Sequence, residues 1–192
     1  MKYIIRIFSL FIITALLSSC SDPVTGTGSS ADNYQPAKDN VLIPGELSPE
    51  EAAGIIFMRQ EEKLARDVYI VLYQVWEYKL FDNISKAEQN HMEAVKRLIV
   101  RYDLEDPIVS DEVGVFSSPV FQQMFDDYVL QGQQSLLDAM QTGQAIEQQD
   151  IEDLENQLSF ADNQDLVNVY TNLKAASENH LLAFTNHILP SF

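Results

Sequence analysis

Cysteine is almost missing from this chain: Cys20 is the single one among 192 residues. One thiol excludes a disulfide framework and a thiolate metal site within the chain. Basic residues are also scarce, since 12 Lys and Arg stand against 29 Asp and Glu, for a net charge of −17. A surface with this charge repels phosphate backbones and anionic headgroups, so we expect no nucleic-acid partner. The apolar fraction of 46% argues against a wholly disordered chain.

The apolar run near the N-terminus, residues 7–17, has eleven residues and is too short to span a bilayer, which takes about 20. It follows the basic residues Lys2 and Arg6, and this order is typical of a secretion signal. Residues 17–20, Leu-Ser-Ser-Cys, resemble the lipobox of bacterial lipoproteins. The resemblance implies cleavage before Cys20 and acylation of that residue, and several acyl chains make a stable membrane anchor. An ordinary signal with an incidental cysteine is the alternative.

Three segments are predicted from composition. Residues 1–19 form the lipoprotein signal, and its removal takes away Lys2 and Arg6 and lowers the net charge from −17 to −19. Residues 20–46 show no apolar period and are rich in Gly, Ser, Thr, Pro and Asp, so we expect a lipidated cysteine on a flexible tether. Residues 47–192 are long enough for one domain with a hydrophobic core.

Helical signals begin at the start of this domain. Ser48 suits an N-cap and Pro49 suits the first helical position. Apolar residues spaced three and four apart over residues 55–76 then predict an amphipathic first helix. A second helix is expected over residues 84–102, after a short break at residues 79–83.

A long crossover is predicted over residues 103–131, because Pro107, Gly114 and Pro119 interrupt the helical period. A short helix starting at Pro119 is expected to pack its aromatic side chains over the other helices. The third main helix should contain Gly143 as a bend or a close helix contact. The remaining elements are the third main helix over residues 133–158, a tight turn over residues 159–163, and a last helix ending at Pro190.

These connections predict an all-α fold. Short links join the first helix to the second and the third to the fourth, so each pair should be antiparallel. A crossover of about thirty residues joins the two pairs, as in ferritin-like four-helix bundles. We therefore expect a ferritin-like four-helix bundle with a long crossover between helices two and three.

Six ionisable residues lie on the predicted core faces, where no Lys or Arg accompanies them: Glu62, Glu88, His91, Glu147, Asp150 and His180. Each uncompensated buried carboxylate costs several kcal/mol, against about 5–15 kcal/mol of net stability for a domain. Two divalent cations would balance four carboxylates, so the pattern predicts a metal site. Each residue taken alone also fits a solvated face or a hydrogen-bonded structural group.

Several short runs resemble known families. Residues 62–66 resemble the first-helix signature of rubrerythrins, in which the glutamate is a ligand, and residues 147–150 resemble the third-helix acidic pair of that group. Glu88-x-x-His91 resembles the motif of di-iron carboxylate proteins. More closely, three runs are similar to the ferritin-like family labelled domain of unknown function 2202: residues 61–69, 88–92 and 177–181. The resemblance implies the fold and the ligand positions but no substrate.

One position departs from the di-iron pattern. The fourth helix should carry a second Glu-x-x-His, but this chain has Ser177-x-x-His180. A serine hydroxyl is a poor ligand, so one carboxylate is missing unless Asp150 restores the count from the facing helix. Glu178 is rotated by about 100° from Ser177 around the helix, so its carboxylate could reach the metal only if the helix were distorted. A mononuclear or asymmetric site is therefore the alternative to a pair of metals.

The expected cofactor is a pair of divalent metal ions, with iron in first place and manganese or zinc as alternatives. The di-iron resemblance makes Glu88 with His91, and Glu147 with His180, the two ligand halves, with Glu62 and Asp150 as terminal or bridging carboxylates. The expected function is that of a lipid-anchored protein of the cell envelope, a non-haem di-iron oxidoreductase or a handler of oxygen, peroxide or ferrous iron. It would face the periplasm or the outer surface.

Two other functions remain open, namely a metal-binding module without turnover and a metal-free interaction domain on a lipid tether. The expected partners are the membrane through Cys20, an external electron donor and a second copy of the chain. The donor is external because no cysteine is left for a rubredoxin-type iron centre. Tyr69 and Tyr170, each two turns from a site residue, are expected in core packing, with electron transfer as the alternative.

Overall fold

The computed structural model describes residues 45–188, and this range contains five helices and no strand. The helices are α1 (Pro49–Trp76), α2 (Lys79–Arg101), α3 (Pro119–Gly132), α4 (Leu136–Phe160) and α5 (Gln164–Ile188). The all-α class is therefore confirmed. The predicted signal, Cys20, the tether up to residue 44 and the stop at Pro190 lie outside the described residues. Among the helices of residues 45–188, none is both long enough and apolar enough to cross a membrane.

The start of α1 confirms the predicted cap. Ser48 Oγ accepts a hydrogen bond from the Glu51 N–H at 3.1 Å, and Glu51 Oε2 accepts one from the Ser48 N–H at 2.9 Å. These two bonds form a capping box. Glu51 Oε1 also accepts the N–H groups of Asp162 and Asn163, at 3.0 and 2.9 Å. This buried carboxylate therefore holds the beginning of α1 against the turn between α4 and α5.

The predicted break at residues 79–83 is wrong, because α2 already begins at Lys79. α1 ends at a left-handed Glu77, with a φ of 48°, so the turn into α2 needs only two residues. Phe81 is fully buried, and its ring centre lies 5.7 Å from that of Phe184. This packing holds the polar segment in helical form although its local composition indicates a break.

The predicted short helix at Pro119 is confirmed as α3. Its Phe121 packs against Phe57 of α1, with ring centres 5.6 Å apart, and its Phe125 packs against Phe116 of the crossover at 5.8 Å. The aromatic side chains therefore fasten α3 onto α1, as expected.

The third main helix, α4, begins at Leu136 rather than at residue 133, because Ser135 caps it. Ser135 Oγ accepts the Asp138 N–H at 3.0 Å. α4 continues unbroken through Gly143, so the predicted bend is not observed. The predicted close contact between helices is observed. A Cβ at Gly143 would lie 2.5 Å from the Phe184 ring, so only glycine allows α5 to approach this closely.

Two apolar clusters fill the interior toward opposite ends of the long helices. The first, called the Phe81 cluster, includes Leu64, Val68, Tyr69, Leu72, Phe81, Ile84, Ala139, Met140, Ile146 and Phe184. The second, called the Tyr170 cluster, consists of Ile55, Met58, Val95, Leu98, Ile99, Leu154, Leu166, Tyr170 and Leu173.

The order of the clusters along the chain gives the helix directions. α1 and α5 run from the Tyr170 cluster to the Phe81 cluster, whereas α2 and α4 run the opposite way. α1 packs along α2 and α4 packs along α5, each as an antiparallel pair. α1 also contacts α4, α2 contacts α5, and α3 lies against α1 and α4. Each of the four long helices carries polar or ionisable residues between the clusters.

Candidate metal centre

Five of the six predicted ligand residues meet between the two apolar clusters. They are supplied by four helices: Glu62 by α1, Glu88 and His91 by α2, Glu147 by α4 and His180 by α5. The three glutamates are almost completely buried, with exposed fractions of 1–2%. Because Glu88 and His91 are three residues apart on one helix, their side chains point to the same side.

These residues form two groups that share Glu88. The ligand atoms of Glu62, Glu88 and His91 lie within 4.8 Å of one another, and so do those of Glu88, Glu147 and His180. The two imidazole rings are stacked, with centres 5.6 Å apart. The geometry therefore has one shared carboxylate flanked by a histidine and a second carboxylate on each side.

Glu88 presents one oxygen to each histidine. His91 Nδ1 lies 2.7 Å from Glu88 Oε2 and 3.3 Å from Glu62 Oε2. His180 Nδ1 lies 2.8 Å from Glu88 Oε1 and 3.4 Å from Glu147 Oε2. Neighbouring ligands of a six-coordinate ion with bonds of about 2.1 Å are about 3 Å apart, which is the spacing of these atoms.

Several of these atoms lack an aligned hydrogen-bond partner within the described residues. They are Nδ1 of His91, Nδ1 of His180, Glu62 Oε1 and Glu88 Oε1. Buried polar atoms in proteins are nearly always paired, so a cluster of unpaired donors and acceptors needs an explanation. Carboxylate oxygens and imidazole nitrogens are ligands that iron, manganese and zinc accept, so the donor set fits such a cation.

Burial and mutual repulsion give these groups unusual pKa values. Desolvation raises the pKa of Glu62 to about 8, and desolvation together with the charge of Glu88 raises that of Glu147 to about 7. Burial also opposes ionisation of Glu88, but the adjacent histidines outweigh it and lower its pKa to about 2. Burial disfavours the charged histidines as well, yet their carboxylate neighbours raise the pKa of His91 to about 11 and of His180 to about 10. Protons thus balance the charge, and a cation that binds here displaces them.

Asp150, the sixth predicted ligand, is buried but lies outside both three-residue groups. Burial raises its pKa, and the nearby charges of Glu62, Glu147 and Glu88 raise it further. Its Oδ1 has no hydrogen-bond partner within the described residues. Asp150 therefore borders the centre, one helical turn from Glu147.

Ser177 is fully buried at the position where the di-iron pattern carries a glutamate. Its hydroxyl donates to the Leu173 carbonyl oxygen at 3.0 Å, so this hydroxyl is engaged with the backbone of α5. Glu178 forms an ion pair with Lys174 at 2.6 Å on an exposed face and lies away from the centre. Ser177 and Glu178 thus leave the α5 side of the centre with His180 alone.

Tyr69 has a contact that the sequence did not indicate. It is fully buried, and its hydroxyl donates a hydrogen bond to Glu147 Oε1 at 2.6 Å. Burial, followed by the charge of Glu147, raises the pKa of Tyr69. The hydroxyl therefore remains protonated and fixes the orientation of one candidate ligand.

Charged residues on the other faces of α1 were also missed. Lys63, Arg66 and Asp67 are buried, and Asp67 pairs with both cations. Glu61 is 4% exposed, and burial, together with the charges of Asp150 and two other acidic neighbours, raises its pKa. These residues lie outside the face on which apolar residues are spaced three and four apart, so a prediction limited to that face cannot find them. The high density of charged residues from Glu61 to Asp67 was the feature of the sequence that could have indicated these buried charges.

Comparisons with known proteins agree with part of the resemblance. Residues 51–190 match the family described as uncharacterized protein domain DUF2202. The chain is similar to the uncharacterized protein MJ0754 of Methanocaldococcus jannaschii, with 47% identity over 138 residues, which are 72% of this chain and 75% of that protein. A crystal structure of the hypothetical protein MJ0754 from Methanococcus jannaschii superposes with a TM-score of 0.73 at 43% identity, covering 83% of this chain and 85% of the other.

Proposed function

The chain belongs to the family of uncharacterized DUF2202 domains, and from the geometry of the site we propose that it binds two divalent metal ions. Glu62 and His91 would hold one ion, Glu147 and His180 would hold the other, and Glu88 would serve both. The observation that carries this proposal is the position of Glu88, whose two oxygens lie 2.7 and 2.8 Å from the two histidines.

The charge of the interior supports two cations rather than one. Glu62, Glu88, Glu147 and Asp150 are at least 95% buried, and within residues 45–188 no Lys or Arg forms an ion pair with any of them. His91 and His180 compensate Glu62, Glu88 and Glu147 only while the histidines are protonated, and a buried carboxylate without compensation costs several kcal/mol. Two divalent ions neutralise four carboxylates and let both histidines become neutral ligands. Asp150 then completes the set from the border of the centre, where Ser177 supplies no carboxylate.

We further propose that the fold is a ferritin-like four-helix bundle related to rubrerythrins. The supporting observations are the helix directions and the supply of ligands from α1, α2, α4 and α5. Since α2 and α4 run in the same direction, a long connection must cross between them, and α3 lies on that connection. A bundle with one such crossover is the ferritin-like arrangement.

The chemistry of the centre depends on the ion. Iron pairs held by carboxylates and histidines support two-electron reduction of dioxygen or peroxide. The Tyr69 hydroxyl would orient Glu147, and the two apolar clusters would exclude water from the centre. We propose a non-haem di-metal protein that handles oxygen, peroxide or ferrous iron, held in the cell envelope by lipidated Cys20.

The second candidate function is metal binding without turnover. The observation that favours it is Ser177, whose buried hydroxyl is bonded to the backbone and leaves the α5 side with one ligand. An asymmetric centre of this kind can sequester or deliver a metal. Iron-loaded protein that is not reoxidised by dioxygen or peroxide after reduction would favour this candidate over the oxidoreductase.

Metal counting tests the proposal. The full-length chain is stripped with a chelator, loaded anaerobically with ferrous iron, desalted and examined by elemental analysis. We expect close to two ions per chain. Glu88→Ala should retain well under one ion, because Glu88 belongs to both groups, whereas Glu62→Ala should retain about one.

Glu93→Ala is the matched control, because this glutamate is exposed on the same helix, beyond the centre. It should retain as much metal as the unchanged chain. One ion per chain would replace the pair with a mononuclear site. If neither iron, manganese nor zinc remains bound, the metal-binding function is wrong.

A further inference from the structure

Among the five residues that meet in the candidate centre, the two histidines are the most exposed. The side chains of the three glutamates are 1–2% exposed, whereas those of His91 and His180 are 11% and 13% exposed. Nδ1 of each histidine is inaccessible and faces the carboxylates, so the exposed part of each ring is its opposite edge. These edges emerge between α2 and α5, the two helices that carry the histidines.

Large side chains join α2 to α5 on both sides of the histidines. On one side, Arg101 Nε lies 2.7 Å from Asp165 Oδ2. On the other side, Phe81 packs against Phe184 with ring centres 5.7 Å apart. Between these contacts the two imidazole rings are stacked with centres 5.6 Å apart, an ordinary packing distance that leaves no room for a molecule between them. A solute that enters the centre here must therefore pass beside a ring.

Small side chains lie beside both rings. An alanine stands four residues before and three residues after each histidine, and all of these alanines are half-buried: Ala87, Ala94, Ala176 and Ala183. Residues at these spacings are neighbours on the surface of a helix. Because helical side chains lean toward the N-terminus, the His91 ring lies next to Ala87 and the His180 ring next to Ala176. A methyl group covers little of a neighbouring ring, so the alanines leave the histidine edges open.

We propose that these exposed edges, together with the four alanines beside them, are the entrance through which a divalent metal ion reaches the candidate centre, and we call this surface the histidine window. The inference rests on the proposed function, because it takes the centre to bind metal. The two apolar clusters close the centre toward both ends of the long helices. An ion that passes beside an imidazole edge meets the Glu88 carboxylate directly behind the rings, 2.7 and 2.8 Å from their Nδ1 atoms.

The size of the histidine window sets the rate of metal exchange and not the affinity, because an ion leaves by the path through which it enters. A larger side chain in the window raises the barrier to entry and the barrier to exit equally. The free energy of binding depends only on the empty and the loaded states, so it does not change. A residue that merely supported the ligands would alter the affinity instead, which distinguishes the two roles.

The loading test uses the metal-free full-length chain and two variants that each cover one ring, Ala87→Leu and Ala176→Leu. Ferrous iron is added under nitrogen, samples are taken at intervals into a chelator, and the bound iron is measured after desalting. Each variant should load about tenfold more slowly than the unchanged chain. Removal of bound iron by the chelator should slow by the same factor, and the final iron content should be equal. Ala175→Leu is the matched control, because Ala175 precedes Ala176 and is exposed, and it should load at the unchanged rate.

Exposure of the rings is measured separately, on the metal-free chain, by hydroxyl-radical footprinting with the oxidation of each histidine read by mass spectrometry. Ala87→Leu should remove most of the oxidation of His91, and Ala176→Leu most of that of His180. Oxidation of His187, which is exposed outside the window, should stay constant as the internal reference. Circular dichroism checks that each variant folds, and Ala94→Leu or Ala183→Leu replaces a variant that does not.

The outcomes separate this inference from the proposed function. If both leucine variants take up and release iron as fast as the unchanged chain, or if neither histidine loses oxidation, the histidine window is not the entrance. Two ions bound per chain would then leave the proposed centre in place. A fall in affinity along with the loading rate would show that the alanines support the ligands, and this too would overturn the inference. If the unchanged chain binds no metal, the proposed centre fails and the entrance fails with it.

Discussion

Tyr69 and Tyr170 are both buried on inward faces of long helices, but their hydroxyl groups differ. The Tyr69 hydroxyl donates to Glu147 at 2.6 Å, whereas the Tyr170 hydroxyl has no partner within the described residues. The Tyr170 ring fills apolar space within the second apolar cluster, which is named after it. Helical spacing placed both rings in the interior correctly, but it could not tell which hydroxyl reaches a carboxylate on another helix.

We expect Tyr69→Phe to weaken the half of the centre that contains Glu147 and His180. Loss of the donor leaves a buried carboxylate oxygen free to rotate, and loss of such an orienting partner lowers metal affinity by about 10–100-fold. The free energy of unfolding should fall by about 1–2 kcal/mol, the cost of an unsatisfied buried acceptor. Metal titration and urea unfolding measure both effects.

Tyr170→Phe is the matched control for this change. It removes a buried hydroxyl that has no hydrogen-bond partner among residues 45–188, at a similar depth and on another long helix. Metal affinity and stability should therefore stay the same. Equal losses for the two substitutions would show that the hydrogen bond from Tyr69 to Glu147 does not support the centre.

The ends of the helices show what local signals can predict. Ser48, Pro49 and Pro119 act within one turn of the chain, so α1 and α3 begin where the sequence indicates. The start of α2 depends instead on Phe81 packing against α5, over a hundred residues away, which no local pattern contains. A helix boundary set by tertiary contacts is therefore the part that sequence reasoning misses.

The burial of α1 is a second case. The rule that predicts burial from apolar spacing assumes one inward face for each helix, but α1 contacts α2, α3 and α4. Its residues from Glu61 to Tyr69 are all buried. The rule therefore found Glu62 and missed Glu61, Lys63 and Asp67. Buried charges on the side covered by the crossover cannot be separated from solvated ones without knowing where the crossover lies.

Asp67 joins the crossover to α1. Its carboxylate accepts hydrogen bonds from Lys63, from Arg66 Nε at 2.8 Å and from the Gly114 N–H at 2.9 Å. Gly114 has a φ of 76°, which a residue with a Cβ rarely adopts, and its close approach to Phe125 also requires glycine. The interaction therefore fixes the crossover at a point where its backbone is unusual.

We expect Asp67→Asn to lower the free energy of unfolding by about 3 kcal/mol, because Lys63 and Arg66 then stay buried with reduced compensation. Urea unfolding measures this loss. Asp82→Asn is the control, since Asp82 pairs with Lys79 and Lys86 on an exposed face and such pairs contribute little. Metal content should remain unchanged in folded Asp67→Asn. A loss as small as that of Asp82→Asn would mean that the buried network is not what holds the crossover.

The whole domain consists of an ionisable layer between two apolar clusters. Sequence spacing placed the layer correctly because all four long helices carry it at mid-length, and independent errors in four registers would not coincide. Spacing could not show that Glu88 serves both histidines, since this depends on the directions of side chains on two helices, α2 and α5. Nor could it show that Asp150 stands at the border of the layer.

This layer makes the stability of the metal-free protein depend on pH. The folded pKa values of His91, His180, Glu62 and Glu147 are all above their unfolded values. Such groups bind more protons in the folded state, so their stabilisation is complete at low pH and is lost as pH rises toward the folded pKa. Glu88 acts in the opposite sense, but its contribution is complete above about pH 5. Stability should therefore fall between pH 6 and pH 8.

The chelated full-length chain should melt at a lower temperature at pH 8 than at pH 6, since each extra proton in the folded state costs about 1.4 kcal/mol per pH unit.

Binding of two ions at pH 7 should release at least three protons, those of His91, His180 and Glu62. Metal affinity must then rise with pH, so the loaded protein should lose this pH dependence. Scanning calorimetry and an indicator dye in weak buffer measure the two effects. His187→Gln, outside the layer, should change neither, and a metal-free melting temperature that is constant from pH 6 to 8 would contradict the coupling of protons and metal in one buried centre.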